Sequence, residues 1–385
     1  MQRTIRFTAV TTLLALSTSA CALLPRLIDS LATTPVSDLL SLDSCRIADV
    51  TPESPNGFVQ ISSGFPLPDG AVPQLGSVSL RVIPVETTDF PMPQNVVDEL
   101  MQSLTRVSAY YREQSFGQME LVPQIEPTTS WVRLPGTAKD FNFATTVPMQ
   151  DHSSLAQEVL SRWTPANAAT EDDLTLIVLP PGPSASIAQA AGKFDSERFN
   201  NVLLQNTAII TADFRTKWSV ISHEIGHTLM RLEDLYEFGV QVGKETYTAP
   251  FDLMSMAGFP FPLLGWSRWR SGWIGDGSVR CVPMDRTTTH GIVNLQALGN
   301  DPKLVVVPVS SSEVLVAELR TRIVSSVPGQ DVVVYSVNTA IHHGQGPIRL
   351  IGNLSANGQS LRAGGVVLAL DGIDFSSAAV TVSSA

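Results

Sequence analysis

Residues Trp218–Tyr236 read WSVISHEIGHTLMRLEDLY, and within them His223, Glu224 and His227 stand in the order H-E-x-x-H. A helix advances about 100° per residue, so two histidines four apart leave one face a single turn from each other and can reach the same metal ion. Glu224 is beside them, placed to act on water at that ion without ligating it. Ile221, Ile225, Leu229 and Leu232 fall together on roughly the opposite side, which predicts a helix packed by one stripe and working with the other. The five-residue pattern also arises as an ordinary core pair of histidines, so the rest of the chain has to be read with it.

A length of 385 residues exceeds one ordinary core and predicts two domains. The hydrophobic share of 43% is ample for packed globular structure. A net charge of -11, with no cluster of Lys or Arg, argues against a nucleic-acid partner or an anionic membrane surface.

The N-terminus carries Arg3 and Arg6, an apolar run from Phe7 to Leu16, and small residues from Ser17 to Ala22. This is the shape of a signal peptide over residues 1–22, too short for an integral membrane span, and it predicts export and a secreted protein. Ser19-Ala20-Cys21 also reads as the end of a lipoprotein signal running to residue 20, which would leave a lipid anchor at Cys21 and hold the protein at the cell surface. Export leaves Cys45 and Cys281 as an even pair in an oxidising compartment, which points to a disulfide. Two free thiols, or Cys45 capping a metal in a latent form, are the other readings.

Residues 23–75 are rich in Pro, Ser, Asp and Gly and read as a lead-in or short pro-segment lying over the surface. Strands are expected at Ser77–Val85, Met119–Val122 and Leu174–Leu179, with a further strand over Val202–Thr211 at the border of a cleft. Helical spacing runs from Val96 to Tyr111, closed by Ser115-Phe116-Gly117. A second helix is expected from Ser154 to Trp163, opened by a Ser154/Gln157 capping box. That order describes an α/β domain over residues 76–280. From residue 281 to 385, short β-branched runs alternate with Gly, Ser and Pro turns, as in a small all-β sandwich.

Between the helix and the β-region lie Phe251-Asp252-Leu253-Met254-Ser255 and Gly265-Trp266-Ser267-Arg268-Trp269-Arg270-Ser271-Gly272-Trp273. With Tyr110-Tyr111-Arg112-Glu113-Gln114-Ser115-Phe116-Gly117 and the H-E-x-x-H helix, four words in this order resemble the immune inhibitor A family of secreted bacterial zinc metallopeptidases. The likeness spans roughly residues 75 to 280. It implies an α/β (α+β) metzincin-like zincin catalytic domain, one catalytic zinc ion, and Met254 in a structural turn beneath the two histidines.

The sequence departs from that family after the second histidine. Where the family has a glycine that ends the helix and lets an Asp swing back to the metal, this chain has Met230. Counting without a gap makes Glu233 the third ligand; aligning on Asp234-Leu235-Tyr236 makes it Asp234, which is preferred, with Glu233 as the alternative. A more distant glutamate such as Glu245 would suit a thermolysin-like arrangement. Without the glycine, either Met230 turns left-handed at a cost of about 1–2 kcal/mol or the helix runs longer before turning.

The implied chemistry is hydrolysis of protein or peptide substrates, with Glu224 as general base. Met256 stands where some metzincins place an oxyanion-binding tyrosine, leaving Tyr236 and Tyr247 as substitutes. A catalytically impaired exported binding protein on a peptidase scaffold is the competing reading, and a hydrolase of non-peptide amides would use the same residues. His152, His290, His342 and His343 have no partners at ligand spacing. A structural Ca2+ site is not readable.

Overall fold

The computed structural model describes residues 38–50, 61, 63–141, 153–180, 188–190, 197–236, 247–248, 250–322, 329–341 and 344–385. The expected signal segment with Cys21, together with His152, Glu245, His342 and His343, lies outside them.

The first half is organised by strand β1 (Gly76–Glu86), whose apolar run is buried from Leu80 to Val85 because both faces of its sheet are covered. Helix α1 (Gln94–Gln114) and β2 (Met119–Ile125) follow, then the short β3 (Val132–Arg133), α2 (Ser153–Arg162) and β4 (Leu174–Leu179). After them come β5 (Ala188–Ala190), the paired β6 (Arg198–Phe199) and β7 (Val202–Leu203), β8 (Thr207–Thr211) and α3 (Trp218–Met230). The sheet order is β2-β1-β4-β8-β5, with β3 pairing on β1; β5 alone runs antiparallel, at the edge.

Strand alternation sorts the two faces. Leu80, Val82, Leu176 and Val178 pack with α1 and α3, whereas Ile83, Val85, Ile177 and Leu179 pack with Val159 and Leu160 of α2. The Val202–Thr211 run divides around a 3-10 turn at Leu204–Asn206, and its second part, β8, lies between β4 and β5. Helix α2 starts at Ser153, and the Gln157 amide donates to Glu197 rather than closing a box on Ser154.

Past the short helix α4 (Gly265–Arg270) and a 3-10 turn at Asp276–Ser278, the regular elements among the described residues are all strands. Strands β9 (Val279–Cys281), β11 (Leu304–Pro308), β12 (Glu313–Thr321), β13 (Gln330–Asn338) and β14 (Ile348–Leu354) form one sheet in the order β14-β13-β12-β11-β9. A second sheet of β10 (Thr288–Val293), β15 (Ser360–Ala363), β16 (Val366–Ile373) and β17 (Ser377–Ser384) has the order β10-β17-β16-β15. Leu315, Ala317 and Val334 face this second sheet and meet Leu368, Leu370 and Val380. Val314, Val316, Val333 and Tyr335 face the other way and join the core that holds α1 and α3. The five-stranded sheet is thus a middle layer, shared between the sandwich and the first half.

The lead-in differs in part from expectation. Most of its described residues are exposed or half-buried, as expected, but Cys45, Ile47, Ser63 and Val72 are buried, and Phe65 meets the rings of Trp266 and Trp269 edge-on. Cys45 forms a disulfide with Cys281, 236 residues away, so it is not a free thiol available to cap a metal. Among the described residues, no helix is long and apolar enough to cross a membrane.

Candidate metal centre

Helix α3 is buried on nearly all sides, as its composition allows: from Ile221 to Met230 every residue is below one-tenth exposure. Tyr111 of α1 anchors it by donating to the carbonyl of Ser222 at 2.5 Å. Gly226, between the two histidines, lets another layer approach closely. A Cβ there would lie 3.0 Å from Met254 Sδ and 3.4 Å from the Tyr111 hydroxyl.

Met254 belongs to a 3-10 turn, Leu253–Ser255, whose residues each have a separate task. Asp252 caps the turn, accepting from Met254 N through one oxygen and from Leu264 N through the other, each at 2.7 Å. The Leu253 carbonyl faces His223 Nδ1 at 3.3 Å. Ser255 Oγ donates to the Leu235 carbonyl, and Leu235 N donates to the Met254 carbonyl at 3.0 Å, which ties the turn to the loop that follows α3.

That loop brings Asp234 back to the histidines. Asp234 Oδ1 lies 3.0 Å from His223 Nε2 and 3.3 Å from His227 Nε2, and the two ring nitrogens are 3.2 Å apart. Ligand atoms held about 2.0–2.1 Å from one zinc ion stand about 3.3 Å apart on a tetrahedron, so the spacing fits. His227 Nδ1 meets the Leu232 carbonyl at 2.7 Å, so both imidazoles have Nδ1 directed at a carbonyl and Nε2 at the shared point. Asp234 Oδ1 is buried, and the histidine contacts are not aligned as hydrogen bonds, which leaves it without a donor. These observations fit a cation between the three atoms. Among the described residues, this is the one group of three His, Cys, Asp or Glu side chains so arranged.

The carboxylate and the imidazoles are coupled electrostatically. Burial disfavours charge on His227, yet the Asp234 carboxylate, with Glu224 further off, pushes its pKa up to about 9. Burial likewise opposes ionised Asp234, but His227 and His223 hold its carboxyl well below the usual range. Glu224, only 6% exposed, follows His223 directly on α3.

How the chain turns without a glycine is visible at the end of α3. Met230 stays helical, and Arg231 takes the left-handed conformation (φ 54°, ψ 39°). One extra helical residue is absorbed this way, and Asp234 rather than Glu233 reaches the histidines; Leu232, expected on the helix, lies past its end. The guanidinium of Arg231 is fully buried and donates to the carbonyls of Gln205, Thr228 and Gly70 and to Asn206 Oδ1. Burial pulls its pKa down to about 9. Gln74 of the lead-in caps the Leu229 carbonyl, and Arg270 of α4 donates to Met230 O at 2.6 Å and to Arg231 O at 3.2 Å. The open carbonyls of Thr228, Leu229 and Met230 at the helix end are thereby paired, with cations where the dipole favours them.

Glu233 turns the other way. It accepts from Ser63 Oγ at 3.3 Å and shares a small internal cavity with Arg270. Tyr236 stacks on His223 at 6.2 Å between centroids, and burial together with the nearby Asp234 and Glu224 carboxylates raises its pKa well above the ordinary tyrosine value, so it borders a candidate ligand. The ring of Tyr247 packs against Gly346 and under the guanidinium of Arg349, 4.4 Å away. His290 is elsewhere, buried in β10 with Nε2 2.8 Å from Thr288 Oγ1.

No protein-family model matches the chain, and no curated protein matches it. Among solved structures it is similar to metalloproteinase-II from Bacteroides fragilis, with 15% identity and a TM-score of 0.28 over 54% of this chain and 56% of that one. Wild-type OgpA from Akkermansia muciniphila gives 10% identity and a TM-score of 0.29 over 75% of this chain and 97% of that one. Catalytically inactive OgpA in complex with an O-glycopeptide gives 11% and 0.32 over 79% and 92%. The chain thus spans little more than half of the first of these structures, and at such scores the likeness carries no argument about chemistry.

The words that flank the helix have structural work in this geometry. Phe116 and Gly117 end α1 with positive φ, and the Phe116 ring lies 4.2 Å from the Arg268 guanidinium. Trp266, Trp269 and Trp273 direct their indole N–H groups to Ser63 O, Asp276 and Gln74 O. Sequence reasoning missed Arg231 and Gly226, and no spacing rule would have found the first. Gly226 carried a signal, since a glycine inside a helix has a helix-propensity cost that close packing can justify.

Proposed function

We propose that this chain is an exported zinc-dependent peptidase acting on protein or peptide substrates. The observation that carries the reading is the convergence of His223 Nε2, His227 Nε2 and Asp234 Oδ1 on one point, with Glu224 next to His223 on the same helix. His223, His227 and Asp234 would hold the ion. Bound there, zinc supplies a Lewis acid that polarises a carbonyl and makes water more acidic.

This chain's own residues do the rest. Glu224 takes the proton of the attacking water and hands it to the leaving amine. Tyr236 and the carbonyls of Leu232 and Leu253 keep the ligands oriented, as outer-shell partners do in metal sites. Residues 76–280 form the peptidase unit and residues 281–385 the sandwich. Export rests on the leading peptide, with secretion or a lipid anchor at Cys21 as its two forms.

A purified Glu224→Ala variant tests the reading. It should retain about one zinc per chain and lose hydrolysis of unfolded casein by at least about 100-fold, the scale of general-base catalysis. Activity within a few-fold of wild type would overturn the mechanism. A wild type that takes up no zinc, and whose melting a chelator does not change, would instead select the binding-protein reading.

A further inference from the structure

The middle sheet inserts an ion pair into the core beside the metal centre. Along β12, Val314, Val316, Glu318 and Arg320 alternate onto the face that meets the first half, while Leu315, Ala317 and Leu319 face the sandwich. Glu318 is fully buried and Arg320 nearly so, 2.6 Å apart. A buried pair gives little net stability unless its remaining donors and acceptors are also paired. Here they are paired, and all with one segment of backbone or its neighbours.

Arg320 donates to the carbonyls of Phe251, Pro262 and Leu263. Glu318 accepts from Gly265 N at 2.7 Å and from the Tyr335 hydroxyl at 2.8 Å, and that hydroxyl in turn faces Trp266 N at 3.1 Å. Gly265 is required for this approach, since a Cβ there would stand 2.5 Å from the Glu318 carboxylate. The residue between, Leu264, donates to Asp252, and Asp252 caps the turn whose Leu253 carbonyl faces His223 Nδ1. Two strands of the β-sheet therefore hold both sides of the turn that aims a candidate ligand.

We propose that Glu318, Arg320 and Tyr335 are positioning residues for the metal centre, so that the β-region is part of the zinc site and not an appended module. The inference rests on the zinc reading above. It acts through His223: Arg320 and Glu318 fix residues 251 and 262–265, these fix Asp252, and the Met254 turn then orients the imidazole.

The test compares zinc affinity and the visible spectrum of the cobalt-substituted protein in wild type, Arg320→Lys and Glu318→Gln. Lysine keeps the charge but cannot reach three carbonyls as the guanidinium fork does. Each folded variant should bind zinc about 10–100-fold more weakly and show altered cobalt bands. Phe375→Ala, which removes an exposed side chain between β16 and β17, should change neither. An unchanged affinity and cobalt spectrum in folded Arg320→Lys overturns the inference and leaves the zinc reading standing. Wild type that takes up no zinc overturns both. Amide exchange on the wild type gives a check that needs no variant to fold: zinc should slow exchange at Met254, Leu264, Gly265 and Trp266, and equal rates with and without zinc overturn the coupling.

Discussion

Met254 Sδ rests against Gly226, so close that a single added carbon on the helix would stand 3.0 Å from the sulfur. Gly226→Ala gains helix propensity worth about 1 kcal/mol and overpacks the floor of the site at about 1–3 kcal/mol. The expected result is a net loss of up to about 2 kcal/mol in urea unfolding, together with weaker zinc binding. A more stable variant with undiminished zinc affinity would refute the packing.

Asp234 and Glu233 are neighbours in sequence with opposite surroundings, one against the histidines and the other against Ser63. Asp234→Ala should lower zinc affinity by at least about 100-fold, the loss expected on removing one of three protein ligands. Glu233→Ala should leave it within about tenfold, the low end of outer-shell effects. Competition titration with a chromogenic chelator measures both, and the reverse ranking would move the third ligand to Glu233.

Arg231 occupies a conformation that costs a side chain about 1–2 kcal/mol and offsets it with its buried guanidinium contacts. Arg231→Gly and Arg231→Ala both lose those contacts, but only alanine keeps the backbone strain. The alanine variant should therefore be the less stable by about 1–2 kcal/mol. Equal unfolding midpoints would show that the loop changes its path once the guanidinium is gone.

Much of the site is written locally, and that part is readable from the chain. H-E-x-x-H places two rings on one helix face by period alone, and the Asp252-Leu253-Met254-Ser255 word condenses a cap, an aiming carbonyl and a floor into four residues. The third ligand depends on which residue turns left-handed, and that was decided at a distance, by Gln205, Asn206 and Gly70 around Arg231. The alternation in β1 and the continuous apolar run of β4 mark interior strands for the same local reason. Strand β5 is three residues long, too short for any alternation to register, while β10, β15 and β17 are rich in Thr, Ser, Arg and Ala and carry little apolar signal. That Cys45, Ile47, Ser63 and Val72 of the lead-in reach the interior was hidden because Pro and Gly mark an irregular path, and say nothing of where that path touches a core.

His290 offers a pH test far from the metal. Burial, with Arg280 adding to it, lowers its pKa from 6.5 to about 4, so the unfolded chain takes up a proton that the folded one refuses. Its contribution to stability is complete above pH 6.5 and disappears as pH falls toward 4. Melting temperature followed across that window should drop less steeply in His290→Gln than in wild type, and parallel curves would contradict the assignment.

The Cys45–Cys281 bond makes most of the first half a closed covalent ring. A single cut anywhere between those two cysteines leaves the pieces joined, still carrying helix α3, the Met254 turn and the strands that brace them on one molecule. Such a nicked protein would run as one band until reduced, and it could outlast damage that would scatter an unlinked chain.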